Sequence, residues 1–338
     1  MQLQQRINAF KKLGTFLEEL ASANSLYSEI LQTTQDHNRW FTLNNIKFAL
    51  NNWIAALSLE NIEKWLSSYQ FLEKKPKTVA VIMAGNIPLV GFHDFVSVLI
   101  SGNTVLAKLS SNDKILLPFI AKQLIRIEPD FKDFIQFSDK KLEDFDAVIA
   151  TGSNNTSLYF EHYFGKYPNI IRKNRNSVAV LSGKETTLQL EALSKDIFTY
   201  FGLGCRNVSK LYLPKEYDFD AFFNAMFIQK EIIYNDKYMN NYDYNKAVYL
   251  MGGVNLLDNE FMLLKEDTGL SSPISVVFYE YYNALPEVEK YLTKNEEKIQ
   301  CIVSGSDLKK AIPFGKTQSP ELWDYADGID TLDFLVNL

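Results

Sequence analysis

From Lys77 onward, short apolar runs that end in turn residues alternate with helix-patterned stretches, and this alternation limits the folds open to the chain. TVAVIMA reads as a buried strand, being short, rich in valine and isoleucine, and stopped by Gly85. A helix is expected after Pro88, then a strand in TVLAKL after the Gly102-Asn103 turn. Ser110 to Asp113 reads as a cap region, with Pro118 in the first turn of the next helix. DFIQF and DAVIA read as strands, the second running into Thr151-Gly152-Ser153 and another helix. Strand–helix alternation of this kind predicts an α/β protein whose parallel sheet carries helices on both faces.

The first 75 residues have a different texture. Leu3, Ile7, Phe10, Leu13, Phe16, Leu17 and Leu20 fall on one helix face. Trp53, Ile54 and Leu57, then Ile62, Trp65, Leu66 and Phe71, mark two further helical stretches. The second half begins in VLSGKET, near 180–185, with a helix over 186–200, a strand in KLYL and helical residues from Asp218 to Ile233. Tyr234 to Asn245, rich in tyrosine and asparagine, reads as surface loop, and PISVVFYE and IQCIVS read as strands.

Composition excludes several classes of function. A length of 338 residues allows two cores, and a net charge of −6 argues against a nucleic-acid footprint. Two cysteines make no disulfide framework and point to a reducing cytoplasm. MQLQQRINAFKKLG lacks the apolar stretch of a signal peptide, and the longest apolar run, Val79 to Phe92, is too short to enter a bilayer as a span. Three histidines with no ligand-spaced cluster make a catalytic metal an unsuitable reading.

Ligands in open parallel sheets bind beyond the carboxyl ends of the strands, which selects AGNIP (84–88), KLSSND (108–113) and TGSNN (151–155). None is a GxGxxG fingerprint, and no Walker-type cradle is present. Ser110, Ser111 and Ser153 suit helix caps as well as ligand contacts, and Lys108 ends a strand where a solvated lysine is common. FGLGCRNVSKLYLP places Cys205 after Gly202 and Gly204 at the mouth of a strand, so the thiol is either a small core residue or a nucleophile held in the open. Arg206 and Lys210 are candidates for favouring its thiolate. Cys301, in an apolar strand, reads as packing. Arg172, Lys173 and Arg175, and Lys184 beyond them, fit either ligand phosphates or a charged strand edge.

In order, VAVIMAGNIPLV, SGNTVLAKLSS, AVIATGSNNT, VAVLSGK, the Gly-x-Gly-Cys turn and IPFGKTQSPELWDYADGID resemble the aldehyde dehydrogenase superfamily. Within it, RKNRNSVAVLSGKET, GCRNVSKLYLPKEYDFDAFF and FGKTQSPELWDYADGIDT are closely similar to the acyl-CoA reductase family of the bioluminescence fatty-acid reductase type, over about residues 77–335.

The resemblance implies an aldehyde dehydrogenase-like fold: a helical region at 1–76 packed on a Rossmann-type nucleotide-binding domain at 77–181, an α/β catalytic domain at 182–312 and a closing segment at 313–338. It implies Cys205 as the nucleophile that takes the acyl group as a thioester, and Asn86 as a donor to the oxyanion. It also implies Lys108, Ser110, Ser111, Gly152, Ser153 and Glu266 as cofactor contacts. Ser111 stands where NAD-preferring members carry a ribose-binding glutamate, so NADPH is the expected cofactor. The implied reaction is reduction of a fatty acyl-CoA or other acyl thioester to the aldehyde, by a homodimer or larger assembly. Alternatives are an aldehyde or acyl-phosphate reductase of the same superfamily, or a non-catalytic acyl-binding subunit of a complex. One departure stands out: the superfamily's water-activating glutamate falls on Val180, which removes a route to hydrolysis.

Overall fold

Ile7, Phe10, Leu13, Leu17 and Leu20 are buried along one side of α1 (Leu3–Ala21), as their spacing requires. α2 (Ser28–His37), α3 (Leu43–Ala56) and α4 (Leu59–Leu66) follow, and the Thr42 and Ser58 side chains cap the last two. α2 was not expected from the sequence. It buries only Leu31 and Thr34, too little to leave an apolar period. Phe71 lies beyond α4, outside any helix.

This computed structural model describes all 338 residues, Met1–Leu338. The chain divides into two units, Met1–Asn174 with Pro320–Leu338, and Arg175–Ser319.

The first unit continues with β1 (Thr78–Ile82), α5 (Phe92–Ile100), β2 (Thr104–Lys108), α6 (Leu116–Ile127), β3 (Ile135–Phe137), β4 (Ala147–Thr151), α7 (Asn154–Phe164) and β5 (Asn169–Arg172). All five strands are parallel, in the order β3-β2-β1-β4-β5. Val79, Val81, Val105 and Ile149 face a core shared with α1, α5 and α6, while Ala80, Leu106, Val148 and Ala150 face Phe160 and Phe164 of α7. Burial on both faces is why these strands read as continuous apolar runs. The chain's end returns here: Trp65 Nε1 donates to Tyr325 Oη at 2.6 Å and Asn103 Nδ2 to the Leu335 carbonyl at 3.1 Å.

The second unit holds β6 (Asn176–Val180), α8 (Thr187–Phe198), β7 (Val208–Pro214), α9 (Phe219–Met226), α10 (Asp236–Met251), β8 (Leu257–Asp258), β9 (Leu263–Glu266), β10 (Val276–Tyr282), α11 (Leu285–Lys294), β11 (Ile299–Ser304) and β12 (Ala311–Ile312). α12 (Thr331–Val336) belongs to the first unit. The sheet order is β12-β11-β6-β7-β10-β9-β8, with only β8 antiparallel to its neighbour. Because β6 pairs with β7 and β11, the change of unit falls at 174/175, ahead of the 181/182 expected from sequence.

The expected surface loop at 234–245 is corrected. It is a 3₁₀ turn followed by α10, whose first turn is capped by the Asn235 side chain. Its buried side consists of Tyr238, Tyr242 and Asn245, bonded to Phe261 O, Asp258 Oδ1 and Ile274 O. A helix that buries hydroxyls and an amide shows no aliphatic period in its sequence.

Candidate active site

The three selected loops leave the carboxyl ends of β1, β2 and β4, which are adjacent in the sheet. The chain runs outward from β1 through β2 to β3, then crosses to β4 and β5, so a topological switch point lies between β1 and β4. The first two loops touch: Met83 N donates to Lys108 O at 3.0 Å. A Cβ on Gly85 would lie 2.5 Å from Ser110 Cβ and Oγ, so only glycine allows this approach.

Asn86 is exposed on the first loop, and Lys108 is half-buried with its Nζ 3.1 Å from Lys140 O. Ser110 Oγ accepts from Asn112 N at 3.2 Å. Ser111 is exposed, and its carbonyl meets His37 Nε2 at 2.7 Å, while Asn38 Nδ2 donates to Asn112 O at 3.2 Å. The end of α2 therefore pins the loop after β2, a contact the sequence did not reveal. Gly152 donates to Arg172 O at 3.3 Å, and Ser153 caps α7, accepting from Thr156 N at 3.2 Å.

These residues fit a nicotinamide dinucleotide. The first turn of α7 is exposed, carries serine, asparagine and threonine, and has no carboxylate to repel a pyrophosphate. Lys108 and two hydroxyls lie at the end of β2, on the other side of β1 from β4, and no acidic side chain stands at Ser111.

The basic cluster is assigned to the scaffold. Arg172 is buried, with its guanidinium 2.6 Å from Asp94 Oδ2 and 2.8 Å from Thr331 Oγ1. Lys173 pairs with Glu161 at 2.9 Å, and Arg175 reaches the carbonyls of Glu296 and Ile299.

In the second unit, Cys205 is exposed and Cys301 is buried, and no disulfide is present. Tyr200, Phe201 and Gly202 precede the thiol with φ of 55°, 60° and 76°. For the two aromatic residues this left-handed conformation costs roughly 1–2 kcal/mol each, which other contacts must offset. Asn207 supplies them. Its Oδ1 accepts from Gly204 N at 2.8 Å, and its Nδ2 donates to the carbonyls of Asp196, Ile197 and Thr199, closing the end of α8. The buried Asp196 carboxylate in turn accepts from Gly315 N, Thr317 N and Thr317 Oγ1. Ser177 Oγ donates to Cys205 O at 2.9 Å and accepts from Cys301 N at 3.1 Å.

Of the two basic residues expected to favour the thiolate, Lys210 is turned elsewhere. The Arg206 guanidinium lies 3.5 Å from Cys301 Sγ. Lys210 is fully buried and points its ammonium at Glu280 (3.0 Å) and at the Asp267 carbonyl. Burial lowers the Lys210 pKa, opposed by Glu280 and Asp267. Lys210 is thus committed to β10 and the turn after β9.

Glu266 is exposed at the end of β9, level with Tyr279 and, through it, Leu211 of β7. Val180 is fully buried beside Tyr212, Val288 and Leu292, so a carboxylate there would displace packed apolar groups. The structure therefore groups Asn86, Lys108, Ser110, Ser111, Gly152 and Ser153 within the first unit, while Cys205 and Glu266 belong to the second.

A family model described as acyl-CoA reductase (LuxC) matches residues 5–220. No curated protein matches. Among solved structures, aldehyde dehydrogenase 21 from Physcomitrella patens, in complex with the reaction product succinate, is 14% identical with a TM-score of 0.70, covering 100% of this chain and 84% of its own. P. syringae AldA indole-3-acetaldehyde dehydrogenase, in complex with NAD+ and IAA, is 14% identical with a TM-score of 0.67, covering 92% and 74%. Aldehyde dehydrogenase C from Pseudomonas syringae, with NAD+ and octanal, is 13% identical with a TM-score of 0.61, covering 85% and 68%. At these identities the likeness is one of fold, and the fold is that of the aldehyde dehydrogenases.

Proposed function

The chain belongs to the acyl-CoA reductase family and is an oxidoreductase, and from that premise we propose that it reduces a fatty acyl-CoA to the aldehyde with NADPH through an acyl-Cys205 thioester. The observation that carries the reading is the exposed thiol on a turn whose left-handed residues are locked by Asn207. Cys205 Sγ attacks the acyl carbon, the bond from that carbon to the CoA sulfur breaks, and CoA leaves as its thiolate. The oxyanion is assigned to the Cys205 backbone N–H and the Asn86 side-chain amide. When bound, NADPH would supply a hydride to the thioester carbon, and the oxyanion so formed would take a proton from solvent. The resulting thiohemiacetal on Cys205 gives up its hydroxyl proton and expels the sulfur, releasing the aldehyde and restoring the thiol.

The α7 N-terminus, Lys108, Ser110 and Ser153 are assigned to holding the cofactor, and Glu266 to its nicotinamide ribose. An uncharged Ser111 leaves room for a 2′-phosphate, which supports NADPH over NADH. Val180 keeps a water-activating carboxylate out of β6, so the acyl-enzyme survives until reduction. A reducing cytoplasm would keep Cys205 as a thiol.

The test is mass spectrometry after incubation with an acyl-CoA and no cofactor. One acyl mass is expected on the peptide holding Cys205. Cys205→Ala should lose both adduct and NADPH-dependent aldehyde formation, and Cys301→Ala should keep both. An adduct on Cys301 would overturn the assignment.

A further inference from the structure

Asp113 takes no part in the mechanism above, yet it is buried (8% exposed) where the first two strand-end loops meet. Its Oδ2 accepts from Leu89 N at 2.9 Å, three residues beyond Asn86. Leu89 itself holds a φ of 58°, a conformation that a leucine does not keep without a restraint. Asp113 N donates to Ser110 O at 3.1 Å, so the same residue closes the turn that carries Ser110 and Ser111. Its second carboxylate oxygen, Oδ1, is buried without a hydrogen-bond partner. A buried acceptor left half-satisfied is costly, so the bonds made by Oδ2 and the backbone of Asp113 must offset that desolvation. A helix cap would not need this placement: α6 begins at Leu116, and no side chain caps it.

We infer that Asp113 is a positioning residue: its carboxylate bridges the Asn86 loop and the Ser110–Ser111 loop, fixing the oxyanion donor relative to the cofactor segment. The inference rests on the role given to Asn86 under the proposed function. Without the bridge, the strained Leu89 turn relaxes and the Asn86 amide samples orientations that do not meet the oxyanion.

The experiment is a double-mutant cycle on the single-turnover rate of Cys205 acylation by acyl-CoA, without cofactor. Asn86→Ala should slow acylation about 100-fold, as loss of one oxyanion donor does. Asp113→Ala should slow it about 10-fold, and the double variant should be no slower than Asn86→Ala within about 2-fold, because both changes remove one interaction. Asp113→Asn keeps an acceptor for Leu89 N–H and should acylate at close to the unmodified rate. Should Asp113→Ala not fold, Asp113→Ser, too short to bridge, takes its place. A double variant slowed by the product of the single effects, an alanine variant of undiminished rate, or an asparagine variant as slow as alanine would each overturn the bridge while leaving Asn86 in place. An Asn86→Ala variant of undiminished rate would take down the oxyanion assignment and this inference together.

Discussion

Burial gives the Asp113 carboxyl a second consequence, in stability. It is pushed up to about 6 from 3.8, chiefly by desolvation, against the lowering effects of the Leu89 N–H and of His37. An acid whose pKa is raised on folding favours the folded state most below its unfolded value. That contribution is lost as pH rises from about 3.8 through about 6. The full swing is on the order of 3 kcal/mol. Asp113→Asn removes the charge, so its stability relative to the unmodified protein should improve between pH 4.5 and pH 7.5. The gain should be about 2 kcal/mol, because part of the full swing is already lost at the lower pH, while the cost of the amide nitrogen in the unpartnered place of Oδ1 is the same at both pH values and cancels. Urea unfolding at both pH values measures it. A difference between the two proteins that does not change with pH would show that Asp113 titrates normally.

Among the elements, the turn between α8 and β7 bears most directly on the chemistry. Asn207 joins four backbone groups across it, and each bond replaces one that the end of a helix or a left-handed turn would lack. Asn207→Ala should cost about 2–4 kcal/mol, since the buried carbonyls and the Gly204 N–H lose a partner at once. Acylation of Cys205 should fall at least ~10-fold, and its reactivity towards a thiol reagent should change, while far-ultraviolet circular dichroism stays native. Retained acylation in a folded variant would mean that the turn holds its shape without Asn207. The glycines and the cysteine of this turn were legible in FGLGCRN, as were β1, β2 and β4, because apolar strands and glycine turns leave strong local signals. The strained φ values of Tyr200 and Phe201 left none, since they follow from hydrogen bonds made by Asn207, later in the chain. α10 was misread for a related reason: its buried face is tyrosine and asparagine. The pull of Lys210 on the thiol was misjudged because proximity in sequence says nothing of side-chain direction, and Lys210 turns to Glu280.

Across the whole molecule, exposed apolar surface is unevenly spread. Of the eighteen large hydrophobic residues left exposed, eight fall between Phe227 and Met251: Phe227, Ile228, Tyr234, Met239, Tyr244, Val248, Leu250 and Met251. Tyr244, Val248 and Met251 sit at i, i+4 and i+7 of α10, an exposed stripe centred about 120° around the helix from Tyr238, Tyr242 and Asn245. Monomers seldom leave such a stripe open to water, and a second copy of the same helix offers a matching surface. The three stripe residues alone fall short of the ~800 Å² per partner that a stable dimer needs, but the Phe227–Tyr234 segment in the same unit extends the apolar area. A net charge of −6 on each chain opposes association and should make it tighter as salt rises. The expected outcome is a homodimer by sedimentation velocity. Tyr244→Glu combined with Val248→Glu should shift it to monomer with the circular dichroism spectrum unchanged. Both positions are exposed, so the substitutions leave the buried face of α10 intact. A double variant that sediments as the unmodified protein does would remove α10 from any interface.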